Sequence, residues 1–349
     1  MPPPAGLQLD YVSLDEYESA GWPDVLGMAT FDGAPAPTSF ARAPSAIPIA
    51  QVRTPLLRAG GHIYEVWRYG EAAESGQRGR VRVRRGGDLL FGCIALAESE
   101  VLPAPGGSTA HSALQVATSE VYREICATLD AERYPHLLRI WNYLPDINGT
   151  EHGSERYGQF NGARRRALRA CGRALEGNVP AASVLGSPAG SPLVVYFLAG
   201  RTAPTFLENP RQVSAYHYPS EYGAHRPSFS RAALLRQPGS TTLFVSGTAS
   251  IVGHRSLHPE DTAAQTRETL ANIEALLGAA NRAAAGVRFE LGALACKVYL
   301  RRSSDLPLVQ AELHDALGAG ARVIYLQADV CRQDLLVEIE AAAIYPAAA

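Results

Sequence analysis

The sequence predicts an α+β protein made of two tandem mixed-sheet units packed pseudo-symmetrically, and three observations predict it. A motif recurs: Leu89-Leu90-Phe91-Gly92 is answered by Leu243-Phe244-Val245-Ser246-Gly247, and Trp141-Asn142-Tyr143-Leu144 by Lys297-Val298-Tyr299-Leu300. The spacing recurs with it, since the matched glycines lie 155 residues apart and the matched leucines 156. An offset held over roughly fifty positions is the signature of an internal duplication. Finally, strand and helix periodicities follow one another in the same order in both halves. The expected division is 1–200 and 201–349, with the cleft between the halves as the place for chemistry.

Residues 1 to about 50 are rich in Pro, Ala and Gly, and predict an irregular extension packed over the first unit. Arg80 to Arg84 alternates strictly and meets Asp88 to Gly92 across a Gly-Gly turn, which predicts a hairpin. From Ser108 to Leu129 apolar residues recur at helical spacing, giving an amphipathic helix. His136 to Tyr143 reads as a strand, Gly149 to Arg156 as a loop, and Tyr157 opens a second helix. Val179 to Leu185 and Leu193 to Leu198 close the unit as strands. In the second unit Ser240 to Ser246 is a strand and Asp261 to Leu277 a helix with acidic Glu260 and Asp261 at its start. Phe289 to Leu300 is a strand, Asp305 to Leu317 a helix, and Val323 to Ala328 and Leu335 to Ala342 strands; the unit's own first strand is unassigned. Arg201 to Phe229 is too long for a simple connection and predicts a functional loop.

At 349 residues, 46% apolar and 19% charged, the composition is globular. No run of eighteen apolar residues is present to span a bilayer, and the start, Met1-Pro2-Pro3-Pro4, has neither the basic nor the apolar part of a secretory leader. A net charge of −2 gives no basic stripe for nucleic acid. Five scattered cysteines without CxxC spacing fit a reducing cytoplasm and give no metal site. Gly106-Gly107 lacks the context that phosphate binding needs, so neither nucleotide nor metal cofactor is expected. Lys297 is the only lysine; every other basic residue is an arginine, the side chain best suited to clamp a carboxylate.

The second unit resembles the YjgF, or reactive-intermediate deaminase, fold family in Leu243 to Gly247, Asp261, Gln265-Thr266, Asn272-Ile273, Lys297 to Leu300 and Val337 to Ala341. In that family the serine-glycine pair and the first glutamate of the last strand face an intersubunit cleft for small carboxylates. A more specific resemblance covers about residues 60 to 345. Trp141-Asn142-Tyr143, Ile147-Asn148, Tyr157, Phe160-Asn161, Arg164, Val213 to Tyr216, Tyr218-Pro219, Tyr222-Gly223 and Pro227 to Arg231 are similar to the chorismatase family. The resemblance implies a cofactor-free enzyme that removes pyruvate from chorismate. One branch hydrolyses the enol ether to a dihydroxycyclohexadiene carboxylate; the other releases 3-hydroxybenzoate.

Protonating a vinyl carbon near pH 7 requires a carboxylic acid whose pKa is raised by desolvation. Glu338, between β-branched neighbours on the last strand, is the expected acid, with Glu340 on the same face as its competitor. The matching strand of the first unit, Leu193 to Phe197, carries no acid. Two substrate carboxylates call for arginine forks: Arg164 and Arg231 rest on the resemblance, Arg301 or Arg302 on position alone, with Arg302 taken as the candidate. Tyr157, Tyr216 and Tyr222 are expected as apolar walls with a polar handle. The resemblance also implies that Gly247 and Cys331 together accompany the aromatic product, with Cys331 assisting the last proton transfers. Competing readings are the hydrolytic outcome, an imine deaminase, and a non-catalytic metabolite binder. A monomer is expected, its third face covered by the long N-terminal segment.

Overall fold

The computed structural model describes residues 6–32, 34, 47–57, 61–70, 73–101, 111–222, 225–284 and 286–346; the side chain of Tyr222 also lies outside the described ones. The expected helix start at Ser108, the Gly106-Gly107 pair and Gly223 fall outside them as well.

Three sheets follow one another along the chain. The first has four strands, β1 (Leu7–Ser13), β2 (Val25–Thr30), β3 (Ile49–Gln51) and β4 (Ile63–Tyr69), in the order β1-β4-β2-β3, with the short helix α1 (Leu14–Ala20) on one side. This corrects the expectation of an irregular extension. Leu7 and Leu9 alternate inward in β1, while Gly6, Gly21, Pro23 and Pro48 fall outside the strands.

The middle sheet contains β5 (Glu74–Arg78), β6 (Val81–Gly86), β7 (Leu89–Leu96) and β8 (His136–Pro145). After the small hairpin β9 (Thr150–Glu151) and β10 (Ser154–Glu155) it is completed by β11 (Ala181–Ser187) and β12 (Leu193–Gly200), in the order β11-β8-β12-β7-β6-β5. Gly87, at φ +50°, makes the β6–β7 turn. Its helices are α2 (Ala113–Glu132) and α3 (Arg156–Ala170). Ser112 caps α2 in a capping box with Gln115, which sets the start of the predicted helix.

The C-terminal sheet contains β13 (Thr205–Leu207), β14 (Ala232–Gln237) and β15 (Ser240–Ala249). Beyond the hairpin β16 (Ile251–Val252) and β17 (Arg255–Ser256) come β18 (Ala295–Leu300), β19 (Arg322–Gln327) and β20 (Val337–Pro346). The sheet order is β13-β14-β15-β20-β18-β19. Its helices are α4 (Thr262–Ala283), N-capped by Asp261, and α5 (Leu306–Leu317). The unassigned first strand is β14. The strand expected over Phe289 to Leu300 is shortened to β18 by a 3-10 turn at Leu291–Ala293.

Period-2 alternation divides each sheet between two cores. On the middle sheet Leu90, Ile140 and Phe197 meet α2 and α3, and on the C-terminal sheet Leu243, Val298 and Ile339 meet α4 and α5. The opposite faces of all three sheets share one interior, where Phe31 and Trp67 of the first, Trp141 and Tyr196 of the middle and Phe244 and Tyr299 of the last are gathered. The N-terminal sheet thus supplies the third wall expected of the long leading segment. Among the described residues no helix is long and apolar enough to cross a membrane.

Candidate active site

A cavity of about 610 Å³ lies where the two repeats meet. The edge strand β11 gives it Ser183, the start of α3 gives Tyr157 and Gln159, and the bridging loop gives Tyr218, His225, Phe229 and Arg231. Gly247 on β15, Glu338 on β20 and the loop of Cys331 and Arg332 close it from the second repeat. The loop expected to be functional, Arg201 to Phe229, does reach this cleft.

Glu338 and Glu340 both face the shared interior, as alternation requires, yet their surroundings are opposite. Glu340 accepts from Arg139 Nη2 at 2.8 Å, Trp141 Nε1 at 2.6 Å and Ser183 Oγ at 2.6 Å, and pairs with Lys297 Nζ at 2.9 Å. Burial pushes its pKa up, but Lys297, Arg139 and the Ser183 hydroxyl outweigh it and hold the carboxyl below its usual range. Lys297 is also 2.5 Å from Glu65 of the N-terminal sheet and donates to Tyr196 Oη at 2.7 Å. Two cations and two carboxylates therefore balance within one buried cluster joining the three sheets.

Glu338 has no hydrogen-bonded partner for its carboxyl among the described residues. Burial first, and the negative Glu340 second, raise its pKa to about 8, with Arg139 and Arg231 opposing. It is a neutral acid at pH 7 that faces a cavity. Gly247 explains how it fits: a Cβ there would overlap Glu338 Oε1 and stand 3.0 Å from Ser183 Oγ. Gly247 sits in a β-bulge, because Val245 pairs with Ala341 and Thr248 with Ile339, which brings its backbone toward the acid.

The duplication has left one such acid. Tyr299 pairs with Glu338 and Lys297 with Glu340. In the first repeat the matched Tyr143 and Trp141 pair with Val194 and Tyr196. Valine stands where the acid would be.

Cys331 is half-buried beside this acid, and desolvation first, then the charge of Glu338, push its thiol up to about 12, so it is a neutral thiol. Burial likewise raises the Tyr157 phenol far above its ordinary value, with Cys331 and Glu338 adding to it. Arg231 lines the cavity and donates from Nη2 to the Val213 carbonyl and to Tyr218 Oη at 2.7 Å.

Three expected residues stand elsewhere. Arg164 is buried, with Nη1 on the Ser228 carbonyl at 2.8 Å and its guanidinium over the Tyr122 ring; it braces the loop that carries Phe229 and is not in the cavity wall. Arg302 lies on the surface, paired with Glu260, because the chain turns outward after β18. Tyr216 is buried against the loop, its hydroxyl 3.4 Å from Glu208. The position of Tyr222 in the site lies outside the described side chains.

Arg332, Ser183 and Tyr218 are wall residues that the sequence reading of the site did not single out. Arg332 and Arg231 lie over the Tyr218 ring, at 5.3 and 5.6 Å from its centroid. A second arginine directly after Cys331 was the available signal.

Fold and cavity define a duplicated α+β protein with a buried acid, Glu338, and two arginines at the seam. Residues 65–199 match the model of the N-terminal part of FkbO/Hyg5-like chorismatases. A 3-hydroxybenzoate synthase of Streptomyces hygroscopicus is 37% identical over 285 residues, 79% of this chain and 80% of that protein. A chorismatase of Streptomyces rapamycinicus is 38% identical over 285 residues, with the same shares. A chorismatase crystal structure superposes with a TM-score of 0.84 at 29% identity, covering 97% of this chain and 98% of the other. The chain belongs to the chorismatase family.

Proposed function

We propose that the protein removes pyruvate from chorismate and releases 3-hydroxybenzoate, with Glu338 as the general acid. The observation that carries the reading is a buried carboxyl, pKa raised to about 8, facing a cavity in a member of this family. Glu338 delivers its proton to the terminal methylene of the enol ether, which becomes the methyl group of pyruvate. The ring 4-hydroxyl oxygen gives up its proton and attacks C3 as the C3–O bond to the enolpyruvyl group breaks, forming a 3,4-arene oxide. Its C4–O bond then opens, the oxygen left on C3 is protonated, and loss of the C3 proton restores aromaticity. Chorismate then divides into pyruvate and 3-hydroxybenzoate with no water consumed. Arg231 and Arg332 serve the two carboxylates, each by charge-assisted hydrogen bonds. Tyr157 and Tyr218 form walls, and the neutral Cys331 thiol passes protons in the closing steps.

The identities to a 3-hydroxybenzoate synthase and the Gly247 and Cys331 pair favour the aromatic product over the hydrolytic one. The N-terminal sheet, which covers the remaining face of the shared interior, supports a monomer. Five free thiols support a reducing cytoplasm.

The test is incubation with chorismate in D2O, following pyruvate and identifying the ring product by mass. Pyruvate carrying one methyl deuterium together with 3-hydroxybenzoate is expected. A dihydroxydiene would keep the enzyme class and overturn the product; absence of pyruvate would overturn the reading.

A further inference from the structure

Ser183 lies on β11, the edge strand of the middle sheet, and lines the cavity. Its hydroxyl is fully committed. The oxygen accepts from Arg139 Nη2 at 2.6 Å and from the Gly247 N–H at 3.0 Å, and its one proton goes to Glu340 Oε2 at 2.6 Å. Two lone pairs and one hydrogen are all that a serine hydroxyl has, so its orientation is fixed from three sides.

The far ends of these bonds differ in stiffness. Arg139 and Glu340 are paired with each other and buried, and Glu340 is held again by Lys297 and Trp141. Gly247 belongs to the bulge, where the β15–β20 register skips Ser246 and Gly247. Its N–H is held by a side chain from the other repeat. Beside it the same seam is closed once more, since the Ala182 N–H donates to Ser246 Oγ at 2.9 Å. The rigid ion pair is thus joined, through one hydroxyl, to the backbone on which the Glu338 carboxyl rests.

We propose that Ser183 is a positioning residue for the reaction: its hydroxyl fixes how closely the Gly247 backbone stands to the Glu338 carboxyl, and so where that acid points into the cavity. The proposal rests on the reading of Glu338 as the proton donor.

The experiment compares Ser183→Val with Ser183→Thr, two side chains of equal size that differ in the hydroxyl. Pyruvate release, ring product, kcat, KM and thermal midpoint are measured across pH. Ser183→Val is expected to lose on the order of 10²-fold in kcat, as a misplaced acid does, with KM little changed. Its alkaline pH limb and product ratio should move, and Ser183→Thr should recover most of the loss. A Ser183→Val enzyme with the kcat, pH limb and product of the parent overturns the proposal; so does equal loss in both variants, which would point to volume. If Ser183→Val does not fold, Ser183→Ala takes its place against Ser183→Thr. A parent protein that releases no pyruvate fails the functional reading instead. In that event infrared difference spectra of the Glu338 carboxyl decide the matter, its titration midpoint shifting on loss of the hydroxyl if Ser183 positions it and staying fixed if it does not.

Discussion

Tyr143 and Tyr299, which hold matching places in the two repeats 156 residues apart, meet hydroxyl to hydroxyl at 2.7 Å in the shared interior. Burial raises both phenols, so each stays neutral and one donates to the other. The two repeats therefore touch through equivalent atoms, and the asymmetry of the site arises a strand away. Val194 pairs with Tyr143 and Glu338 with Tyr299. A single exchange of character on that neighbouring strand leaves one seam with an acid and the matching position without one.

If Glu338 acts while protonated, activity follows its acid form. kcat/KM should be level below pH 7 and fall tenfold per pH unit above about 8. Glu338→Gln should lower kcat by about 10² to 10⁴-fold while chorismate still binds. A pH profile with no alkaline limb near 8 would contradict the assignment.

The same raised pKa makes a stability prediction with a definite sign. Glu338 favours the folded state fully below the ordinary carboxylate pKa, and that contribution is lost as pH rises through about 8. Glu338→Gln should therefore unfold at nearly the parent's temperature at pH 4 and at a higher temperature at pH 9. Thermal melts at the two pH values check this, and equal midpoints at pH 9 would refute it.

Gly247→Ala places a methyl group where Glu338 Oε1 now lies. The carboxylate end of a glutamate can turn aside, so the fold should survive with a thermal midpoint near that of the parent. Catalysis should not: kcat is expected to drop by on the order of 10²-fold, as an acid moved by about 1 Å predicts, and the product to shift toward the hydrolytic diene. Chromatography of the ring product is the readout.

Arginine replacements separate the wall of the cavity from its surroundings. Arg231→Ala and Arg332→Ala should each raise KM by about ten- to a hundredfold, the worth of a charge-assisted hydrogen bond. Arg302→Ala, on the surface with Glu260, should leave both KM and the thermal midpoint close to those of the parent. Steady-state kinetics on the three variants decides the question.

Lys297→Met should leave Glu65 and Glu340 buried without their shared cation. A broken buried pair costs about 3–5 kcal/mol, so urea melts should show a loss of that size. A loss under about 1 kcal/mol would mean that the cluster holds the sheets together weakly.

The repeat and the order of its elements were legible because they are written in periodicity and in local motifs. Glu338 stood out as a charge between β-branched neighbours. Its advantage over Glu340 was not legible, since it depends on Arg139, Ser183 and Glu65, which reach Glu340 or its cation partner from other sheets. The same limit hid the N-terminal sheet, whose short strands are held by pairing at long range: Leu7 opposite Tyr69 and Met28 opposite Val66. Arg302 was chosen by its distance from a strand end, and a turn of a few residues sent it to solvent. Arg332 was missed because the loop that presents it has no regular period.

The single lysine of this chain is sealed, its side chain 1% exposed within aromatic rings and carboxylates. A folded molecule thus offers amine-directed reagents no lysine side chain. Each added acyl group on Lys297 marks a molecule that has opened its innermost seam. Intact-mass counting of that single label, at increasing temperature or denaturant, would time the parting of the three sheets.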